Sequence, residues 1–210
     1  MSIPTGLALQ GIFNTVWPTR SGLRAASKQV TAEVTLELLI NAGIVLTTVA
    51  GMEAFAWWSH KYIMHGWGWG WHESHHRPRT GWFEKNDLYA IVFAGLAILL
   101  IALGNAGYWR LQWIGAGMTL YGLLYFIAHD GLVHQRWPFR YVPRNGYLKR
   151  LYQAHRMHHA VDGREGCVSF GFLLAPTTQK LKQQLREIHG GALDSSRERK
   201  ARDQAEEGVE

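Results

Sequence analysis

With 210 residues the chain has room for one domain, and its 47% apolar content would suit a soluble protein were it evenly spread. The formal charge of +6 forms no basic stripe clear of the apolar runs. That excludes nucleic acid as a leading partner and points to anionic lipid headgroups or an acidic protein. The single cysteine, Cys167, excludes an internal disulfide and any cysteine-built metal site, and fits a reducing, cytoplasmic face.

Residues 1–30 carry Arg20, Arg24 and Lys28 with no acidic residue before Glu33, and no apolar targeting core or cleavage site follows. They are expected to be a disordered or surface-lying extension. Val34 to Trp58 follows as a candidate span, interrupted by Glu37, Asn41 and Glu53. Leu88 to Gly104 and Leu111 to Ala128 contain no charged residue, are near the roughly 20 residues a spanning helix needs, and are joined by a turn at Asn105-Ala106-Gly107. The stretch from Gly166 to Pro176 is apolar but too short to cross, so it is expected to be re-entrant or interfacial. Residues 191–210 form a charged, disordered tail, leaving 31–190 as the membrane domain.

No period-2 alternation persists, and helices are the open-ended structure that satisfies the backbone in lipid. The expected fold is therefore an all-α integral membrane protein: three to four transmembrane helices and a histidine-rich helical cap on the cytoplasmic side. Tryptophan fits this placement. Trp57, Trp58, Trp67, Trp69, Trp71 and Trp82 fall between the first and second spans, and Trp109, Trp113 and Trp137 near other helix ends. An aromatic belt at headgroup level accounts for them, with packing inside the cap an equal account of Trp67, Trp69 and Trp71.

The chemistry lies in ten of the eleven histidines; only His189 stands apart. His60-Lys-Tyr-Ile-Met-His65 and His72-Glu-Ser-His75-His76 precede the second span. His129-Asp-Gly-Leu-Val-His134 and His155-Arg-Met-His158-His159 follow the third. The order HX4H then HX2HH thus occurs twice. In a helix, positions i, i+3 and i+4 share a face, so each HX2HH triplet projects together. His60 and His65 lie about 140° apart on a straight helix. Local unwinding or ligation of different metals would reconcile them, and Gly131 makes a distortion plausible in the third motif. The intervening hairpin returns His129 to the membrane face that His76 left, so all ten imidazoles can meet.

Neutral imidazole suits Zn, Cu, Ni and Fe. Eight to ten exceed one ion's coordination and imply two, and a structural zinc site with its usual cysteines fits poorly. Two redox metals beside a bilayer suggest oxygen activation on an apolar substrate. A transporter would need polar residues along its spans, and bis-histidine haem would need only two ligands per cofactor.

At these residues the chain resembles the fatty acid hydroxylase superfamily, and within it the bacterial hydroxylases of carotenoid rings. The likeness runs through His60-Lys-Tyr-Ile-Met-His65-Gly, Trp69-Gly-Trp-His72-Glu-Ser-His75-His76 and Glu84-Lys-Asn-Asp-Leu-Tyr89. It continues in residues 126–138, in Leu151-Tyr-Gln-Ala-His-Arg-Met-His-His159 and in Cys167-Val-Ser-Phe-Gly-Phe172, and covers roughly 34–188. The resemblance implies two non-haem Fe ions held by His60, His65, His72, His75, His76, His129, His134, His155, His158 and His159. It implies O2 and reduced ferredoxin as co-reactants and a bacterial inner-membrane setting. The implied reaction is 3-hydroxylation of β-ionone rings, β-carotene to β-cryptoxanthin to zeaxanthin, with canthaxanthin to astaxanthin as a further route. A ketolase, a fatty acid or sterol hydroxylase, or a non-enzymatic membrane metal-binding protein would share much of the pattern.

Around the ligands, Asp130, Glu73 and Asp162 are candidates to accept imidazole N–H groups. Glu53 is either functional or the polar end of a tilted helix. Arg136, Arg140, Arg144, Lys149 and Arg150 lie in a stretch without acid. They could dock an acidic ferredoxin or anchor to anionic lipid. Three spans with cytoplasmic histidines would put the basic residues 1–30 outside, a conflict that a further short membrane segment, or incomplete crossing by 34–58, would remove.

Overall fold

A bilayer offers no hydrogen bonds to the backbone, so each apolar run must close its own. The computed structural model, which describes residues 19–79 and 81–190, has helices at all three. Helix α1 is Arg20–Ser59, α2 Trp69–His76, α3 Asp87–Asn105, α4 Leu111–Tyr125 and α5 Gly146–His158; α6 covers 178–190. Wider π-helical turns, His60–Trp67 and Phe126–Val133, prolong α1 and α4. No strand occurs among the described residues. The stretches Arg20–Trp67, Asp87–Asn105 and Leu111–Val133 are long and apolar enough to cross a membrane. Ile91, Val92, Ile98 and Leu99 are exposed on α3, as lipid-facing side chains would be. The chain is an all-helical integral membrane protein.

By internal contacts the chain divides into two units, 1–44 and 45–210. Within the first, the helix begins at Arg20, well before the expected span. Residues 20–30 are thus helical rather than irregular, because the Thr19 hydroxyl accepts the Gly22 N–H at 3.2 Å as an N-cap and no proline interrupts the turns that follow. The remainder of the expected extension, 1–18, and the tail, 191–210, lie outside the described residues.

In the second unit, α3 and α4 form the hairpin that carries the chain away from the histidine cap and back. The turn lies where Asn105-Ala106-Gly107 predicts it, with Gly107 at φ +96. The helices approach closely because Gly115 has no side chain: a Cβ there would lie 2.7 Å from the Ala97 carbonyl oxygen. Residues 167–177 form no helix and run as an irregular strap back over the cap, bent at 172–174 and with Ser169 at φ +62. Helix α6 then seals the strap, with Leu181 fully buried against Ala154 and Val168.

Candidate metal centre

The five-residue spacing in the HX4H motifs is resolved by helix type. Both motifs are wound as π-helix, whose i→i+5 hydrogen bonds bring residues five apart onto one face. The His134 N–H donates to the His129 carbonyl at 2.8 Å, and the Gly68 N–H to Ile63 at 2.9 Å. Gly131 lies within the second motif, and its role there is also steric. A Cβ on Gly131 would stand 2.8–3.0 Å from the Trp137 indole, which packs over that turn.

The imidazoles gather into two groups. Donor atoms of His60, His65, His72 and His158 lie within 4.8 Å of one another, as do those of His75, His129, His134 and His155. His76 stands by the first group, its ring 5.0 Å from those of His65, His72 and His158, with a buried Nε2 that meets no partner. His159 stands by the second, its ring 4.7 Å from His75 and His155 and 4.8 Å from His134. The triplets therefore project together, as the spacing predicts, but divide between the groups. His189 stays apart and bonds the Gly166 carbonyl at 3.1 Å.

Seven of the ten rings are pointed inward by an acceptor behind Nδ1. His60 Nδ1 donates to the Phe170 carbonyl at 3.0 Å, His65 to Arg164 at 2.8 Å, His76 to Val161 at 3.1 Å and His158 to Val168 at 2.9 Å. His72 donates to Asn86 Oδ1 at 2.7 Å, His75 to Glu84 Oε2 at 3.1 Å and His129 to Asp130 Oδ1 at 2.7 Å. A proton on Nδ1 leaves a bare lone pair on Nε2. Yet Nε2 faces Nε2 at 3.1 Å between His60 and His72, 3.1 Å between His65 and His158, and 2.9 Å between His75 and His129. Lone pairs at that separation repel unless a cation lies among them, so the donor set fits metal ions. Burial keeps the cap histidines neutral, as ligands must be. His72 and His159 are pushed down to about 2, chiefly by burial and then by neighbouring imidazoles. His134 is pushed down to about 3 by burial and then by the Arg136 charge.

The second layer only partly follows the sequence expectation. Asp130 lies behind His129. Glu73 turns outward and pairs with Arg77 at 3.1 Å, because the three histidines of α2 take its inner face. Asp162 is exposed, and the backbone carbonyl of Val161 stands behind His76 in its place. Arg136 points inward, ion-paired to Glu84 at 2.7 Å, Asp87 at 3.0 Å and Asp130 at 3.5 Å, whereas Arg140, Arg144, Lys149 and Arg150 are exposed. Glu84 and Asn86 were not singled out by spacing; their only signal was the phrase Glu84-Lys-Asn-Asp-Leu-Tyr89. Cys167 groups with His65, His76 and His158. Its thiol, pushed up to about 11 by burial, shares the Val161 carbonyl with His76 and donates at 3.5 Å to Gly163.

Glu53 has a definite place. It is 5% exposed, and its Oε1 accepts the N–H groups of Phe172, Leu173 and Leu174 at 2.8, 2.8 and 2.9 Å, while Oε2 accepts Tyr121 O–H at 2.8 Å. One carboxylate thus satisfies three consecutive amides of the non-helical strap. The same strap supplies the carbonyls of Val168 and Phe170 that orient His158 and His60.

Two openings flank the centre. An apolar cavity of about 460 Å³ is walled by Phe55, Phe93, Met118, Tyr125 and Phe172 and reaches His60, His72, His129 and His155. A polar depression of about 430 Å³ reaches His75, His76, His134 and His159, with Arg77, Arg156 and Asp162 among its lining residues. Tyr125 stacks on His129 with ring centroids 4.5 Å apart, its hydroxyl 3.3 Å from Nε2.

A family model described as fatty acid hydroxylase matches residues 45–177. The chain is 72% identical over 158 residues, 75% of its length and 90% of the relative's, to a β-carotene hydroxylase of Pantoea ananas. It is 67% identical to one of Pseudescherichia vulneris, over 73% of this chain and 87% of the relative. A β-carotene 3-hydroxylase 1, chloroplastic, of Arabidopsis thaliana is 39% identical over 74% of this chain and 49% of its own. No solved structure matches.

Proposed function

The chain belongs to the fatty acid hydroxylase family, and from that premise we propose that it hydroxylates the β-ionone rings of carotenoids, converting β-carotene through β-cryptoxanthin to zeaxanthin. The observation that carries the reading is an apolar cavity ending on four imidazoles of a double histidine centre. The names of the bacterial relatives, at up to 72% identity, supply the substrate.

In this reading the ten histidines hold two Fe ions, five to each. Bound there, the pair would supply the electrons and the O2 chemistry needed to attack an unactivated C–H bond. The protein's own part is placement and exclusion. Phe55, Phe93, Met118 and Phe172 take the ring by apolar burial and keep water from the cavity face. The strap tied to Glu53 fixes His60 at the cavity and His158 within the same histidine group. Because the two rings of β-carotene lie at opposite ends of one molecule and the described residues hold a single histidine centre, each hydroxylation needs its own docking. Canthaxanthin would pass to astaxanthin by the same placement.

Electrons would come from reduced ferredoxin at the cytoplasmic face of the bacterial inner membrane. Arg140, Arg144, Lys149 and Arg150 are the docking cations, and Arg136 lies inside. Residues 31–190 make up the hydroxylase domain. Expression in bacteria that accumulate β-carotene, followed by pigment chromatography, tests the assignment: zeaxanthin should accumulate through β-cryptoxanthin. Unchanged β-carotene beside membrane-inserted protein, iron and ferredoxin would overturn it, and 4-keto products would make the protein a ketolase.

A further inference from the structure

The two histidine groups differ in what stands behind their rings. In the first, all five Nδ1–H groups meet neutral acceptors: four backbone carbonyls and the side-chain amide of Asn86. In the second, His75 and His129 donate to the carboxylates of Glu84 and Asp130. Arg136, with a side chain only 12% exposed, clamps both carboxylates and Asp87. Three carboxylates thus meet one buried guanidinium, with Arg79 3.9 Å from Glu84 at the edge. The backbone holds this cluster in place: the Glu84 N–H donates to Asp87 at 2.9 Å and the Asn86 N–H to the Ser74 hydroxyl at 3.2 Å.

A carboxylate behind an imidazole draws the Nδ1 proton toward itself, makes Nε2 a stronger donor and adds negative charge near any cation bound there. An uncharged carbonyl does this more weakly. We propose that the two metal sites are unequal. The group of His75, His129, His134, His155 and His159 binds a divalent metal ion the more tightly and fills first. Glu84 and Asp130 are positioning residues that set this difference through His75 and His129. The inference rests on the two-metal reading above and assigns an order within it.

Full-length protein in detergent, stripped with a chelator, is titrated anaerobically with Co(II), whose visible bands report its coordination. Two ions per chain should bind in resolved steps, the first at least about ten-fold tighter. His65→Ala should leave only the tight step and His134→Ala only the weak one. Glu84→Gln and Asp130→Asn should each weaken the tight step about 10–100-fold and spare the other, and Asn86→Ala should do the reverse. Two steps of equal affinity, or equal weakening of both by Glu84→Gln, overturn the inference alone. A single ion at the endpoint overturns it together with the two-metal reading. If circular dichroism shows that a second-layer variant has not folded, the wild-type steps and the two ligand variants decide the matter.

Discussion

The histidine pattern is written twice in the sequence, yet the halves do not build one site each. The first half supplies His60, His65, His72 and His76 to one group and lends His75 to the other. The second half supplies His129, His134, His155 and His159 and lends His158 back. The exchange follows from helix geometry. In each HX2HH triplet the rings at i, i+3 and i+4 share a face but fan across it, so one triplet spans both groups. The HX4H motifs behave oppositely: π-helical winding keeps both histidines of a motif in one group. Each half is therefore incomplete without the other, and the centre exists only when the hairpin of α3 and α4 brings them together.

The sharpest break of that comparison removes a loaned ligand. His158→Ala strips the first group of the only histidine it takes from the second half. It should abolish hydroxylation and lower bound iron while membrane insertion, read by fractionation, stays intact. Normal activity with full iron would show that the halves do not exchange ligands.

Next is the strap, which orients one ring from each half of the repeated pattern. Its Val168 and Phe170 carbonyls orient His158 and His60, and its amides at 172–174 rest on Glu53. Glu53→Ala would leave the buried Phe172 N–H and Tyr121 hydroxyl, and the part-buried N–H groups of Leu173 and Leu174, without an acceptor. Since an unsatisfied buried group costs about 1–3 kcal/mol, a loss of several kcal/mol is expected, seen as a lower thermal midpoint in detergent. Activity should fall with it. A midpoint unchanged by Glu53→Ala would mean that the strap has other support.

Most of the scaffold is legible in the sequence, because it follows from apolar run length and histidine period. The spans at 88–104 and 111–128, the turn at 105–107 and the grouping of ten rings are all read from local pattern. Apart from Asp130, the acceptors behind the rings are not. Four are backbone carbonyls, which no residue type announces; Glu84 and Asn86 come from the loop that follows the first triplet, at no helical spacing from His75 and His72, and Glu53 acts on amides far away in the chain. Glu73 and Asp162 attract notice as neighbours in sequence, but helix phase turns Glu73 outward and a loop exposes Asp162. Arg136 reads as one of a basic series, and only the folded arrangement separates it from Arg140 and Arg144.

A smaller effect distinguishes the two π-helical turns. Gly131 in the second lies against Trp137, and an added Cβ would collide with the indole, whereas the first turn has open space at Gly66. Gly131→Ala should cost about 1–3 kcal/mol through overpacking and shift His129 and His134 together. The predicted signature is loss of the tight Co(II) step with the weak one kept. Loss of both would mean that the two motifs move as one body.

The mildest prediction concerns two connectors of the cap, one that follows the first histidine triplet and one that precedes the second. The first, 77–86, mixes charges, with Arg77 paired to Glu73 and Arg79 near Glu84. The second, leading into α5, keeps Arg140, Arg144, Lys149 and Arg150 exposed with no acidic residue between 136 and 150. If an acidic electron donor approaches along the second connector, Arg144→Glu combined with Lys149→Glu should raise the apparent KM for reduced ferredoxin several-fold. The increase should shrink as ionic strength rises, because rim charges act on encounter and are screened beyond about 10 Å at 0.1 M salt. The maximal rate and the Co(II) titration should not change, since neither residue touches a ligand histidine. The same reversal at Arg77 and Arg79 should have less effect, because a partner carboxylate already offsets each charge. An equal response to both pairs would mean that the donor does not distinguish the two connectors, and the asymmetry between the halves would then end at the metal centre.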